Sequence, residues 1–227
     1  NKKVIVFGGS RGIGKEVCRQ FQLSGATVYC ASRGEPDLEN VEYIRCDITF
    51  PCDVNRVFDT VQNADFVINV AGTNLCDSID NIDLWEWDRL MDTNLRSFFV
   101  ICQRATHEMK STGGRIVNVS SIAGRSKSVV SGVHYTSSKA AIIGLTRQLA
   151  YELGPKNINV NCVCPSQTLT EMLDESMSEI EQKKLSEQIP LKRLATIEDQ
   201  VGPVVFLCSE LSNYINGAII DVNGGQI

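Results

Sequence analysis

No stretch of this 227-residue chain approaches the roughly 20 consecutive apolar residues that a membrane-crossing helix needs, so no membrane partner is expected. Basic residues are in deficit as well. The 22 lysines and arginines stand against 27 aspartates and glutamates, for a net charge of −5, and they are dispersed rather than gathered in a stripe. That balance repels a phosphate backbone and argues against nucleic acid as a partner. Histidine is scarce: only His107 and His134 are present, and the tightest cysteine pair, Cys162 and Cys164, lies in an apparent strand. No ligand set for a metal emerges, and none is expected. Also missing are tandem repeats, low-complexity segments and any Pro/Gly/Ser-rich linker, which leads us to expect one domain over residues 1–227.

Nine cysteines are present, but Cys18, Cys30, Cys102, Cys162 and Cys208 fall inside apolar runs rather than in a spaced loop framework. Free thiols in a reducing compartment fit that pattern better than disulfides. The cytoplasm is the expected location. Because the chain begins at Asn1 without Met, an organelle reached through a trimmed targeting peptide stays open.

Short β-branched or apolar runs recur with helical stretches between them: Val4–Phe7, Thr27–Ala31, Tyr43–Cys46, Phe66–Val70, Ile116–Val119, Asn159–Val163 and Ala218–Val222. Alternation of this kind predicts a Rossmann-type α/β fold, a doubly wound parallel sheet in a three-layer αβα sandwich, because each parallel strand needs a crossover. Only seven residues separate Arg33 from Val41, with Gly34 and Pro36 among them, which leaves room for at most one helical turn. Leu169 to Gln188 lacks a strand pattern, is rich in Met, Ser and Glu, and follows a strand end. A mobile helical lid is expected there.

The first strand runs into Gly8-Gly9-Ser10-Arg11-Gly12-Ile13-Gly14 and then a helical pattern closed by Gly25. Glycines at such a turn let the backbone approach a pyrophosphate at the helix N-terminus. A plain strand-to-helix turn that needs positive φ is the competing explanation. Tyr135 and Lys139 stand four apart on a predicted helix, so both can reach one ligand from one face. A cation beside a phenol stabilises phenolate.

The spacing of Gly8, Gly12 and Gly14 resembles that of the short-chain dehydrogenase/reductase family, and the resemblance continues along the whole chain. Asn69-Val70-Ala71-Gly72, Asn94, Asn118-Val119-Ser120-Ser121, Tyr135-Thr136-Ser137-Ser138-Lys139 and Asn223-Gly224-Gly225 are similar to its further motifs, in order. The resemblance implies a catalytic set of Asn94, Ser121, Tyr135 and Lys139. Tyr135 would be the proton donor, with its phenol lowered toward neutrality by Lys139 and the oxidised nicotinamide. Ser121 would polarise the substrate carbonyl, with Ser120 as rival, and Asn94 would hold a water linking Lys139 to solvent. It also implies dinucleotide contacts from Gly8, Ser10, Arg11, Gly12, Ile13, Gly14, Arg33, Asp47, Ile48, Asn69, Ala71, Gly72, Tyr135, Lys139, Pro165, Thr168 and Thr170. Singly, each has an ordinary alternative: a surface tyrosine, a solvated lysine, a turn serine, a helix-interior asparagine, a capping aspartate.

Charge bears on which dinucleotide. The second strand ends Ala31-Ser32-Arg33, without the acidic residue that accepts hydrogen bonds from an NAD ribose, and Arg11 stands in the glycine turn. Two cations flanking a 2′-phosphate favour NADP(H), whereas two solvated arginines would be indifferent. Residues 186–193 and 214–217 resemble 3-oxoacyl-[acyl-carrier-protein] reductases and related carbonyl reductases. That resemblance implies a thioester carbonyl substrate, possible docking of an acidic acyl carrier protein at a basic patch including Lys156, and a homodimer or homotetramer. Thr112 stands where a second docking cation is expected, and Phe7, Val70 and Ser166 replace the family's usual threonine, asparagine and glycine. Reduction of a small ketone, sugar or polyol, and a non-catalytic regulatory subunit, are the competing readings.

Overall fold

A computed structural model of the chain describes residues 1–109 and 113–227. Seven strands form one parallel sheet: β1 (Lys3–Phe7), β2 (Thr27–Ser32), β3 (Glu42–Arg45), β4 (Phe66–Asn69), β5 (Gly114–Val119), β6 (Ile158–Pro165) and β7 (Ile219–Val222). Their order is β3-β2-β1-β4-β5-β6-β7. Eight α-helices accompany them among the described residues: α1 (Gly12–Leu23), α2 (Pro51–Val61), α3 (Leu84–Met91), α4 (Ser97–Glu108), α5 (Val133–Leu153), α6 (Glu171–Ser176), α7 (Glu179–Gln188) and α8 (Ile197–Cys208).

The expected three layers follow from the period-two alternation of the strands. Ile5 and Phe7 of β1 face one way and pack with Val54, Val57 and Phe58 of α2, Ile101 and Ala105 of α4, and Ala150 and Leu153 of α5. Val4 and Val6 face the other way, against Val17, Cys18 and Phe21 of α1 and Val201, Val204 and Leu207 of α8. Both faces are covered, so the strands read as continuous apolar runs. All nine cysteines are free thiols, and seven of them are buried.

Each expected strand is present, with ends displaced by one or two residues. The largest change is in β6, which continues to Pro165 because Cys162 to Pro165 pair with Ile219 to Val222 of β7. Residues 33–41 contain no helix, as their length requires. Residues 169–188 hold two short helices: α7 starts on a reciprocal cap between Ser178 and Glu181, and Leu173, Leu185, Ile189 and Leu194 form a small apolar cluster beneath them. Helices α3 and α4 run on as one continuous helical stretch, because residues 92–96 between them form a π-helical turn.

Candidate active site

Strand order reverses between β1 and β4, and open sheets of this kind bind ligands outside the carboxyl ends of the strands at such a switch point. A cleft of about 700 Å³ opens there. The glycine turn, Ser32, Arg33, Asp47 and Ile48 line one end; Ser121, Tyr135, Lys139, Pro165, Thr168 and Thr170 line the other.

At the first end the backbone is tight. Gly8 has φ +93°, and a Cβ there would lie 2.6 Å from Ala71 Cα; one on Gly14 would lie 2.1 Å from the Gly8 carbonyl oxygen. Neither position admits a side chain. Helix α1 then begins at Arg11 with no side-chain cap and no acid in its first turn, so its partial positive charge and N–H groups face the cleft unmatched. A pyrophosphate fits this cradle by shape and by charge. Thr170 stands opposite, its Cγ2 3.6 Å from where a Cβ on Gly12 would be.

The two arginines differ. Arg11 lies 3.7 Å from Glu171 of α6, so it also bridges the glycine turn to the segment expected as a lid. Arg33 is exposed at the end of β2, and its carbonyl accepts from the Tyr43 hydroxyl at 3.1 Å. Ser32 donates its hydroxyl to Gly34 O at 2.7 Å and so is already engaged. Asp47 lines the cleft but accepts from Thr49 N at 3.0 Å and Thr49 Oγ1 at 2.7 Å, so it is a turn-forming aspartate as well as a candidate contact.

At the other end Ser121 hydrogen-bonds the Tyr135 hydroxyl. Between the two adjacent serines the structure decides: Ser120 is buried and donates to Lys139 O at 2.7 Å, tying β5 to α5, whereas Ser121 faces Tyr135. Lys139 donates to Val119 O at 3.1 Å, with its Nζ 5.6 Å from the Tyr135 ring centre and 5.7 Å from that of Phe98. Burial pulls the lysine from its usual 10.5 to about 8. Burial pushes the Tyr135 phenol up, and the Ser121 hydrogen bond offsets this only in part. The expected lowering by Lys139 is therefore not supplied by the protein's own groups, because desolvation of the phenolate outweighs them.

Two expected contacts sit behind the cleft instead of in its lining. The Asn69 side chain is fully buried and donates to Asn118 Oδ1 at 2.8 Å, where it joins β4 to β5, so its amide lies within the sheet. Asn94 is also fully buried. Its Oδ1 accepts from Thr73 N at 2.9 Å, and its Nδ2 donates to Thr73 O at 2.8 Å and to Ser138 Oγ at 3.3 Å. Those bonds fix the segment after β4. A Cβ on Gly72 would come within 3.3 Å of Asn94 Oδ1 and 3.4 Å of Lys139 Nζ, so the asparagine and the lysine flank one backbone position.

With both ends described, comparison with known proteins is decisive. A family model described as enoyl-(acyl carrier protein) reductase matches residues 8–226. The chain is 34% identical to the 3-oxoacyl-[acyl-carrier-protein] reductase FabG of Aquifex aeolicus, covering 99% of this chain and 97% of that one. The chain belongs to the short-chain dehydrogenase/reductase family. It is also 32% identical to the 3-oxoacyl-[acyl-carrier-protein] reductase MabA of Mycobacterium tuberculosis, over 100% and 93% of the two chains. Among solved structures, the aldohexose dehydrogenase of Thermoplasma acidophilum superposes with a TM-score of 0.92 at 28% identity, over 100% and 94% of the two chains.

This dehydrogenase/reductase is thus an oxidoreductase of a family that uses nicotinamide cofactors. When bound, such a cofactor accepts or donates the hydride; the residues above would hold it. Sequence reading missed several residues of the substrate end. Asn74, Arg89, Thr93, Ser128 and Ser131 line the cleft there, and they come from three separate segments with no motif of their own. It also missed His134, fully buried beside Tyr135, whose Nε2 donates to Glu86 Oε1 of α3 at 2.8 Å. Lys156 is placed far from the cleft: it follows the 21-residue helix α5 at the end opposite Tyr135, a separation of roughly 30 Å at 1.5 Å per residue. It therefore forms no docking patch at the cleft mouth. Thr112 lies outside the described residues. The unusual Phe7 packs on Phe58, ring centres 5.8 Å apart; Ser166 lines the cleft, and its backbone N–H donates to Val222 O at 3.1 Å.

Proposed function

We propose that this enzyme reduces the keto group of a 3-oxoacyl thioester to the alcohol, with NADPH as hydride source. The observation that carries the reading is the convergence of Ser121, Tyr135 and Lys139 on one wall of the cleft, across from the phosphate cradle. Hydride arriving at a carbonyl carbon leaves negative charge on oxygen, which needs a donor for stabilisation and then a proton. The Tyr135 hydroxyl is that proton donor. A phenol keeps its proton at neutral pH and so is available to protonate the developing alkoxide. Ser121, in contact with the same hydroxyl, orients it and offers a second donor to the carbonyl oxygen. Lys139 stands behind, its Nζ 5.6 Å from the Tyr135 ring centre, where its charge opposes, without outweighing, the cost that burial places on a phenolate. Asn94 acts as a positioning residue through Thr73.

NADPH is favoured over NADH because Arg33 reaches the end of β2 with no carboxylate at positions 32 or 33, and charge-assisted contacts to a 2′-phosphate contribute roughly 1.5–3 kcal/mol each. The thioester is favoured by full-length likeness to reductases named for 3-oxoacyl carrier-protein substrates. A sugar is the second reading, motivated by the equally complete structural likeness to an aldohexose dehydrogenase. Steady-state kinetics with acetoacetyl and crotonyl thioesters and a simple ketone, each with NADPH and NADH, and with glucose together with NADP+ or NAD+ as hydride acceptor, separate them. Acetoacetyl thioester turnover at least tenfold more efficient with NADPH is expected. Turnover of the sugar alone would transfer the assignment to the second reading, and crotonyl reduction without keto reduction would remove both. Tyr135→Phe should lower turnover about 10²–10⁴-fold, the usual contribution of a positioned acid.

A further inference from the structure

We infer that Arg89 of α3 is a specificity-determining residue that binds the phosphate of a pantetheine arm on the substrate; this rests on the thioester reading above. Among the described residues, seven of the chain's twelve arginines pair with an aspartate or glutamate: Arg11, Arg19, Arg56, Arg96, Arg104, Arg125 and Arg193. Arg89 makes no ion pair among the described residues, although Asp88 and Asp92 are its close neighbours in sequence. Its guanidinium instead lies over the Trp85 ring, 5.1 Å from the centre, which holds the planar group in place and leaves its N–H edge for an oxyanion.

Its position is at the substrate end. Glu86, one turn before Arg89, meets His134 beside Tyr135; Thr93, one turn after, lines the cleft with it. Across from them Asn74 donates to Val130 O at 3.1 Å, and Gly132 N donates to Leu75 O, which closes the opposite wall. Asn74 lines the cleft, and its Oδ1, buried in the ligand-free protein, has no partner among the described residues; an amide N–H is the partner it lacks. A pantetheine arm carries both groups, amides along its length and a phosphate at its end. A carboxylate-free cation and an unmatched acceptor on two residues lining one cleft are complementary to that pair.

The test compares acetoacetyl-pantetheine with acetoacetyl-4′-phosphopantetheine, which differ only by the phosphate, on the wild type and on Arg89→Gln and Arg89→Lys. The expected result is a kcat/KM ratio, phosphorylated over unphosphorylated, of at least ten in the wild type, arising in KM. It should fall at least tenfold in Arg89→Gln and be partly restored in Arg89→Lys. Acetoacetyl-CoA and an acetoacetyl carrier protein, measured in parallel, identify which source of the arm gains most from the arginine. Turnover of both thioesters with a ratio near one, or a ratio that Arg89→Gln leaves unchanged, overturns the role of Arg89 while sparing the proposed reaction. Turnover of neither thioester overturns the proposed reaction and this inference with it.

Discussion

Replacing Lys139 by Met should separate the chemistry of this enzyme from its stability. Lys139 is 4% exposed, and burial lowers its ammonium from 10.5 to about 8. The folded value lies below the unfolded one, so between about pH 8 and 10.5 the unfolded chain binds more protons, and stability rises with pH through that window. Below it the charged lysine is a full burden. Converted at about 1.4 kcal/mol per pH unit, the burden is ~3 kcal/mol at pH 7 and ~2 kcal/mol at pH 9. Met removes it but leaves Val119 O without its donor, a loss of about 1–3 kcal/mol that does not titrate. The net sign at pH 7 is therefore small, and the pH dependence is decisive. Urea or thermal unfolding of wild type and Lys139→Met at pH 7 and pH 9 should show the gap move by ~1 kcal/mol in favour of the wild type, equivalent to ~2–4 °C in Tm. Reductase activity should be lost throughout. Parallel stability profiles for the two proteins would refute the buried charge and the reasoning built on it.

Three further outcomes are expected. Gly14→Ala should abolish dinucleotide binding in a fluorescence titration, since its Cβ would sit 2.1 Å from Gly8 O; retained affinity would show that the turn can open. Glu86→Ala should lower Tm by several degrees, because it leaves His134 Nε2 without a partner at a cost of about 1–3 kcal/mol, and should reduce kcat more than it raises KM. Glu86→Gln, which keeps an acceptor, should recover most of both, and identical behaviour of the two variants would count against the pair's role. Arg33→Ala should reduce the NADPH to NADH efficiency ratio at least tenfold through KM for NADPH, consistent with loss of one charge-assisted contact; an unchanged ratio would leave Arg11 as the cation that matters.

Much of the site was legible before any fold was known because its parts are close in sequence and strict in type. Gly8 and Gly14 are forced by backbone approach and Tyr135 and Lys139 share one helix face by their spacing, but it is the ordered resemblance of the motifs along the chain that singles them out. The seven strands were equally readable, because a sheet covered on both faces demands continuous apolar runs. Arg89, Glu86 and His134 carry no such local constraint. A helix-surface arginine or a lone histidine reads the same whether it meets solvent or a ligand, and only packing distinguishes them.

Thus the sequence by itself determined the alternating α/β order, the phosphate cradle, the pairing of Tyr135 with Lys139 and the family, all properties set by short-range geometry. Tertiary structure decided which serine meets the tyrosine, since Ser120 and Ser121 are chemically alike and only the packing of the end of β5 against α5 sends one hydroxyl to Lys139 O and the other to Tyr135. It decided that Asn69 and Asn94 brace the wall of the cleft, that Lys156 lies at the far end of α5, and that burial raises Tyr135 and lowers Lys139. Desolvation depends on everything that surrounds a group, and no stretch of chain contains its own surroundings.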